Sequence, residues 1–213
     1  MKRFFLESEM PTQLQMARCG QITDSVKCVA QRENVPVKVI NSELAAGRLV
    51  IPANIIHLKD NLVPAAVGRK VSVKINANIG LSSLSSSLDD ELIKMKTAIE
   101  LGADAIMDLS TGGDLDHIRQ TLLSQCPVPF GTVPIYEIIA DRNVEDINSK
   151  VILDVLQKQA EQGVDFFTIH CGLLKEHLPL INSRVCGIVS KGGALLAKWM
   201  MHHNKQNPLY QLL

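Results

Sequence analysis

Apolar and polar positions first alternate regularly at "VSVKINANIG", residues 71–80, where Val71, Val73 and Ile75 are spaced two apart. Period two marks an extended chain with one face buried. The pattern predicts a strand that finishes in Asn76, Ala77 and Asn78 ahead of a turn-permitting Gly80. A carboxamide buried without partners costs about 1–3 kcal/mol. These amides therefore either satisfy backbone groups or face a ligand.

The rhythm then repeats. "SLDDELIKMKTAIELG" has a capping Ser87, acids in its first turn and Gly102 at its end, and predicts a helix. "AIMDLS" leads to "DLDHIRQTLLSQC", and "FGTVPIY" leads, after a polar loop, to "NSKVILDVLQKQAEQG". "DFFTIHC" leads to "LLKEHLPLIN", and "VCGIVS" leads to "GGALLAKWMMHHN". Alternating strands and helices predict an α/β fold with a parallel sheet and helical crossovers. Five strand–helix units do not fill an eight-stranded barrel, so the expectation is a partial (β/α) TIM-type barrel over 71–213. The trailing "NPLYQLL" is expected to expose three apolar residues, as the approach to another element. "LSSLSSSL" reads as a loop.

Residues 1–70 read as a separate segment of short helices and loops. "PTQLQMARCG" and "TDSVKCVAQREN" carry helical spacing, and "NSELAAGRLV" is expected to start at a capping Asn41 or Ser42. "VIPAN" is a short extended piece whose proline excludes a central strand.

Charge narrows the partners. Twenty-two Lys and Arg balance twenty-two Asp and Glu, so no basic field exists to attract nucleic acid or an anionic membrane. Five scattered cysteines, with no C-x-x-C pair, predict reduced thiols and a cytoplasmic protein. "MKRFFLESEM" has too few apolar residues before Glu7 for a signal peptide, and no stretch is long enough to span a bilayer.

The five expected strands finish in Asn78, in Met107 with Asp108, in Tyr136, in His170 with Cys171, and in Ser190 with Lys191. In parallel α/β folds ligands bind at the carboxyl ends of strands, so five polar endings converge on one rim. Each residue also has a plainer reading. His170 after "FFTI" is either a satisfied core histidine or a ligand contact, and Tyr136 is either a core aromatic or a site residue. Met107 packs, or presents a soft thioether to a flat heterocycle. Asp108 accepts hydrogen bonds from neighbouring backbone or from a ligand. "VSKGGALLAKW" is the sharpest local signal: Ser190 ends a strand, Lys191 adds charge, and Gly192–Gly193 opens a helix whose exposed amides suit a phosphate. The plainer alternative is a glycine-rich turn with a solvated lysine. His202 and His203 are adjacent on a helix and form no metal pair, while His57, His117 and His177 have no evident partners in sequence.

At these residues the chain resembles a known family. "TQLQMARCGQIT", "GRLVIPAN", "VKINANIG", "GADAIMDLSTGG", "GTVPIY", "KQAEQGVDFFTIHCG" and "GIVSKGGALLAKW" together are similar to the phosphomethylpyrimidine synthases, from about Thr12 to Tyr210. The resemblance implies a cytoplasmic, homodimeric enzyme with a (β/α)-barrel core that converts aminoimidazole ribotide to hydroxymethylpyrimidine phosphate. It implies S-adenosylmethionine, a 4Fe-4S cluster and zinc as cofactors. It also implies ribotide contacts from Asn78, Met107, Tyr136, His170 and the turn Ser190, Lys191, Gly192. Three positions depart from the family pattern: Lys191 stands for Arg, Ile56 for Asn and Cys171 for Ala. Lys keeps the charge but loses the planar fork. After "NPLY" the family continues into a substrate loop, metal-binding histidines and a three-cysteine cluster motif, so the metal ligands are expected to be absent from this chain. The expectation is thus either a synthase half or a catalytically inactive remnant or split-enzyme half that at most binds ribotide.

Overall fold

The computed structural model describes residues 11–82, 86–140 and 142–212. Three short helices come first: α1 (Gln13–Arg18), α2 (Asp24–Glu33) and α3 (Val37–Ala45). Thr12 and Gln15 close a reciprocal capping box on α1, and Thr23 caps α2, which satisfies amides that helix starts leave open. The third helix begins at Val37 after Pro36, so Asn41 and Ser42 lie inside it and do not cap it. Val26, Val29, Ala30, Ile40 and Leu44 pack with Leu49, Ile51 and Ala66 into a core of their own. Strand β1 (Leu49–Val50) precedes helix α4 (Ile55–Asp60) and pairs antiparallel with β2 (Val67–Gly68).

The main sheet has four parallel strands in chain order: β3 (Asn76–Ile79), β4 (Ala105–Asp108), β5 (Phe130–Thr132) and β6 (Phe166–Phe167). Helix α5 (Leu88–Glu100) follows β3, α6 (Leu115–Leu123) follows β4, and α7 (Pro134–Ile138) with α8 (Ser149–Glu161) follow β5. Helices α9 (Leu178–Ile181), α10 (Lys191–His203) and α11 (Pro208–Leu212) complete the order. Ser87, Asp114, Asn148 and Ser190 cap α5, α6, α8 and α10 through their side chains. The chain is an α/β protein.

Four further expectations are corrected. The stretch 71–75 is not strand: Val73 is 92% exposed, and Glu33 of α2 takes it over by accepting from the Ser72 N–H and pairing with Lys74. "VCGIVS" forms no strand either; Val185 and Val189 lie open to solvent. A strand needs a ladder partner for its backbone groups, and none of the described strands pairs with it. Residues 134–136 of "FGTVPIY" enter α7 rather than the strand because Pro134, with its fixed φ, suits the first turn of a helix. In "NPLYQLL", Leu209 is not exposed but buried among Leu196, Trp199 and Met200, and Leu212 packs partly buried against the same core, while Tyr210 is exposed and Leu213 lies outside the described residues. The loop reading of 81–88 falls partly on residues 83–85, outside the described residues.

Helices α5 and α6 cover one side of the main sheet. Ile79, Ile106 and Phe130 pack against Met95 of α5 and Ile118 and Leu122 of α6. A second core joins Ile135 and Ile138 of α7 to Ile152 and Val155 of α8 and to Leu196, Trp199 and Met200 of α10. At the amino ends of β5 and β6, His57 proves to have partners after all. Its ring lies 2.7 Å from Asp165 Oδ2 through Nδ1 and 2.7 Å from the Cys126 carbonyl through Nε2. Asp165 also accepts from the Asn54 and Phe130 N–H groups, so it ties α4 to the sheet. His177 also has a partner, accepting at Nδ1 from the Leu174 N–H.

Candidate substrate-binding rim

Strand register sets the faces. Asn78 pairs with Met107, Met107 with Gly131, and Gly131 with Phe166. Side chains alternate along a strand and paired residues share a side. Asn76, Asn78, Met107 and Phe166 therefore line one face, opposite the face that α5 and α6 cover. This explains the amides at the end of "VKINAN": Asn76 and Asn78 are exposed and belong to the face opposite α5 and α6. Asn76 Nδ2 donates to Asn78 Oδ1 at 3.1 Å.

The remaining residues sit just beyond the strands' carboxyl ends, in two contacts. Tyr136 stands on α7 rather than on a strand, and the Lys191 ammonium lies 5.4 Å from its ring centre. His170 follows β6, and its ring fills the space where a side chain on Gly192 would be: an added Cβ would lie 2.7 Å from it. Only glycine allows that approach. His170 Nδ1 is buried with no hydrogen-bond partner among the described residues, and burial lowers the imidazole pKa below its ordinary value. Ser190 Oγ accepts from the Gly193 N–H. The first amides of α10 beyond that cap have no intrahelical acceptor and can meet an anion.

The two groups are linked. Met107 and Tyr136 pack against the same core, and Thr168, two residues before His170, donates to Met107 Sδ at 3.3 Å. Asp108 faces the other way and is buried; it accepts from the Ser110 N–H and hydroxyl, so the backbone reading of this residue is the one observed. Burial raises its pKa, against the opposing Ser110 hydrogen bonds.

The spacing pattern did not single out the residues that hold the rim in place. Glu91 is fully buried and accepts from the Gly80 N–H at 2.8 Å and from Ser86 at 2.6 Å. Burial would raise its pKa, but bonds from Lys94, Ser86 and the Gly80 amide hold it below the ordinary value. Glu137, beside Tyr136, is bound by Arg119, Lys158 and Gln159, and Gln159 accepts from Thr132 at 2.6 Å. An acid in the first turn of α5 was legible in sequence; its reach back to the β3 loop was not.

Comparison with known proteins bears on this arrangement. A sequence model of the Radical SAM ThiC family matches residues 12–212. The chain belongs to this family. It is 51% identical over 203 residues to a phosphomethylpyrimidine synthase of Natronomonas pharaonis, a match that covers 95% of this chain and 42% of that relative. The chain thus spans less than half the length of the curated relative it matches. Among the described residues no three His, Cys, Asp or Glu side chains are grouped so as to hold a metal ion. The described residues therefore offer no ligand set that fits an iron–sulfur cluster or zinc. Among the described residues no helix is long and apolar enough to cross a membrane.

Proposed function

We propose that this chain is the ribotide-binding part of a phosphomethylpyrimidine synthase, acting in thiamine biosynthesis on aminoimidazole ribotide. In this reading β3 to β6 and their helices are the first portion of a (β/α) barrel over 71–213, which follows the helical segment 1–70. The face opposite α5 and α6 is then the barrel's inner wall. Asn78 and Met107 contact the imidazole, Tyr136 and His170 border it, and the phosphate meets Ser190, Lys191 and Gly192. The observation that carries the reading is the shared face of Asn78 and Met107, joined through Thr168 to the segment leading to His170 and the α10 start.

Each role follows from the side chain. The Asn78 amide offers hydrogen bonds to ring nitrogens, and the Met107 thioether packs on a flat ring. The α10 amides and Lys191 complement the phosphate charge. Lys191 gives a point charge where Arg would give two parallel bonds, so the phosphate is held less rigidly. The reading is tested by calorimetric titration of the chain with aminoimidazole ribotide; saturable heat is expected, and its absence at millimolar ligand would refute the assignment. The 42% span of the relative favours a second reading, a binding unit without turnover or one half of a split enzyme. Under it ribotide binds equally, but no product forms with S-adenosylmethionine and reductant.

A further inference from the structure

We infer that Thr168 is a positioning residue that fixes the Met107 thioether for the ligand, an inference that rests on the proposed ribotide site. Thr168 continues the face that carries Met107 and Phe166. It lies two residues beyond Phe166, and its N–H still donates to the Thr132 carbonyl at 2.9 Å, so the ladder persists to this point. Its hydroxyl then reaches one strand further across the sheet and donates to Met107 Sδ at 3.3 Å.

The strand between them makes the reach possible. Gly131 of β5 is the register partner of both Met107 and Phe166. A Cβ on Gly131 would lie 2.3 Å from the Phe166 ring, so the ring lies over β5 where other residues would project a side chain. Thr168 and Met107 thus meet across a strand that contributes no side chain at that position.

A methionine has three rotatable bonds, so its sulfur can take several orientations. Threonine is β-branched, and its χ1 is stiff. A hydrogen bond from the stiff residue to the mobile one selects a single thioether orientation before the ligand arrives, and affinity gains when that ordering is done in advance.

The test compares Thr168→Val, which keeps the shape and removes the hydroxyl, with Thr168→Ser, which keeps the hydroxyl. Two readouts are taken on the intact chain: calorimetric affinity for aminoimidazole ribotide, and the Met107 ε-methyl resonance in methyl-labelled protein without ligand. Thr168→Val should move the Met107 methyl resonance and weaken binding about three- to tenfold, the size of one net hydrogen bond. Thr168→Ser should restore both toward the unaltered chain. An unmoved methyl resonance in Thr168→Val overturns the contact, and a moved resonance with unchanged affinity overturns the positioning role. If the unaltered chain does not bind ribotide, the site assignment fails, while the resonance still decides whether Thr168 orders Met107.

Discussion

Asn78 and His170 illustrate how single side chains acquire their roles. Asn78 is exposed on the face opposite α5 and α6, and its Oδ1 accepts from Asn76, which leaves its N–H groups for a ligand. His170 is half-buried with one ring nitrogen unpartnered among the described residues. Replacing either by alanine should weaken ribotide binding roughly five- to hundredfold, the range of one to three kcal/mol for a polar contact; calorimetry checks this, and unchanged titrations would remove the residue from the site. Gly192→Ala should act on His170 at a distance of one residue's width, because the new methyl would occupy the imidazole's place. The expected outcome is a displaced His170 ring signal in the proton spectrum together with weaker binding. Because burial lowers the His170 pKa, its ring should titrate below 6.5, the ordinary histidine value, and remain neutral at pH 7. The polar endings were readable from the chain as residues; which face they share was not, because that depends on strand register.

Among the elements, α4 and the sheet are joined by the least expected contact. Both nitrogens of His57 face acceptors, Asp165 and the Cys126 carbonyl, and the His57 and Asp165 side chains are 1% and 0% exposed. Burial would lower the His57 pKa, but the Asp165 hydrogen bond and charge, with the Cys126 carbonyl and Asn61, raise it above 6.5. A raised folded-state value means that protonation favours folding. The contribution is therefore complete below the unfolded pKa, about 6.5, and is lost as pH rises through the higher folded value. Thermal melts should show stability falling across that window, and His57→Gln should flatten the dependence. His57→Ala should cost about 3–5 kcal/mol in denaturant unfolding, since it strands the Asp165 charge in the interior. Nothing in the sequence signals this pair, because His57 and Asp165 lie far apart in the chain and meet only when α4 docks. The helices themselves were well marked: Ser87 with its acids, and Ser190 ahead of two glycines, state their starts locally. The strand at 71–75 was misread for the opposite reason, since the alternation is real but Glu33, remote in sequence, claims its backbone.

For the whole molecule the decisive feature is a sheet with two edges. Among the described strands, β3 and β6 each have a single neighbour. Unpaired edges template further pairing, so the chain should self-associate at micromolar concentration or higher. Light scattering checks this, and a sharp monomer peak with a cooperative melt would contradict it. The same geometry accords with a chain that covers 42% of its relative.

The sequence by itself determined the α/β rhythm, most helix starts, the family and the list of polar residues near the strand ends. Those are local properties, set by periodicity, capping chemistry and motif. Only the tertiary structure decided that the main sheet has four described strands and not five, that Tyr136 rides on a helix, and that Thr168 meets Met107 across a glycine. Pairing, burial and facing depend on neighbours remote in the chain, and no local pattern carries that information.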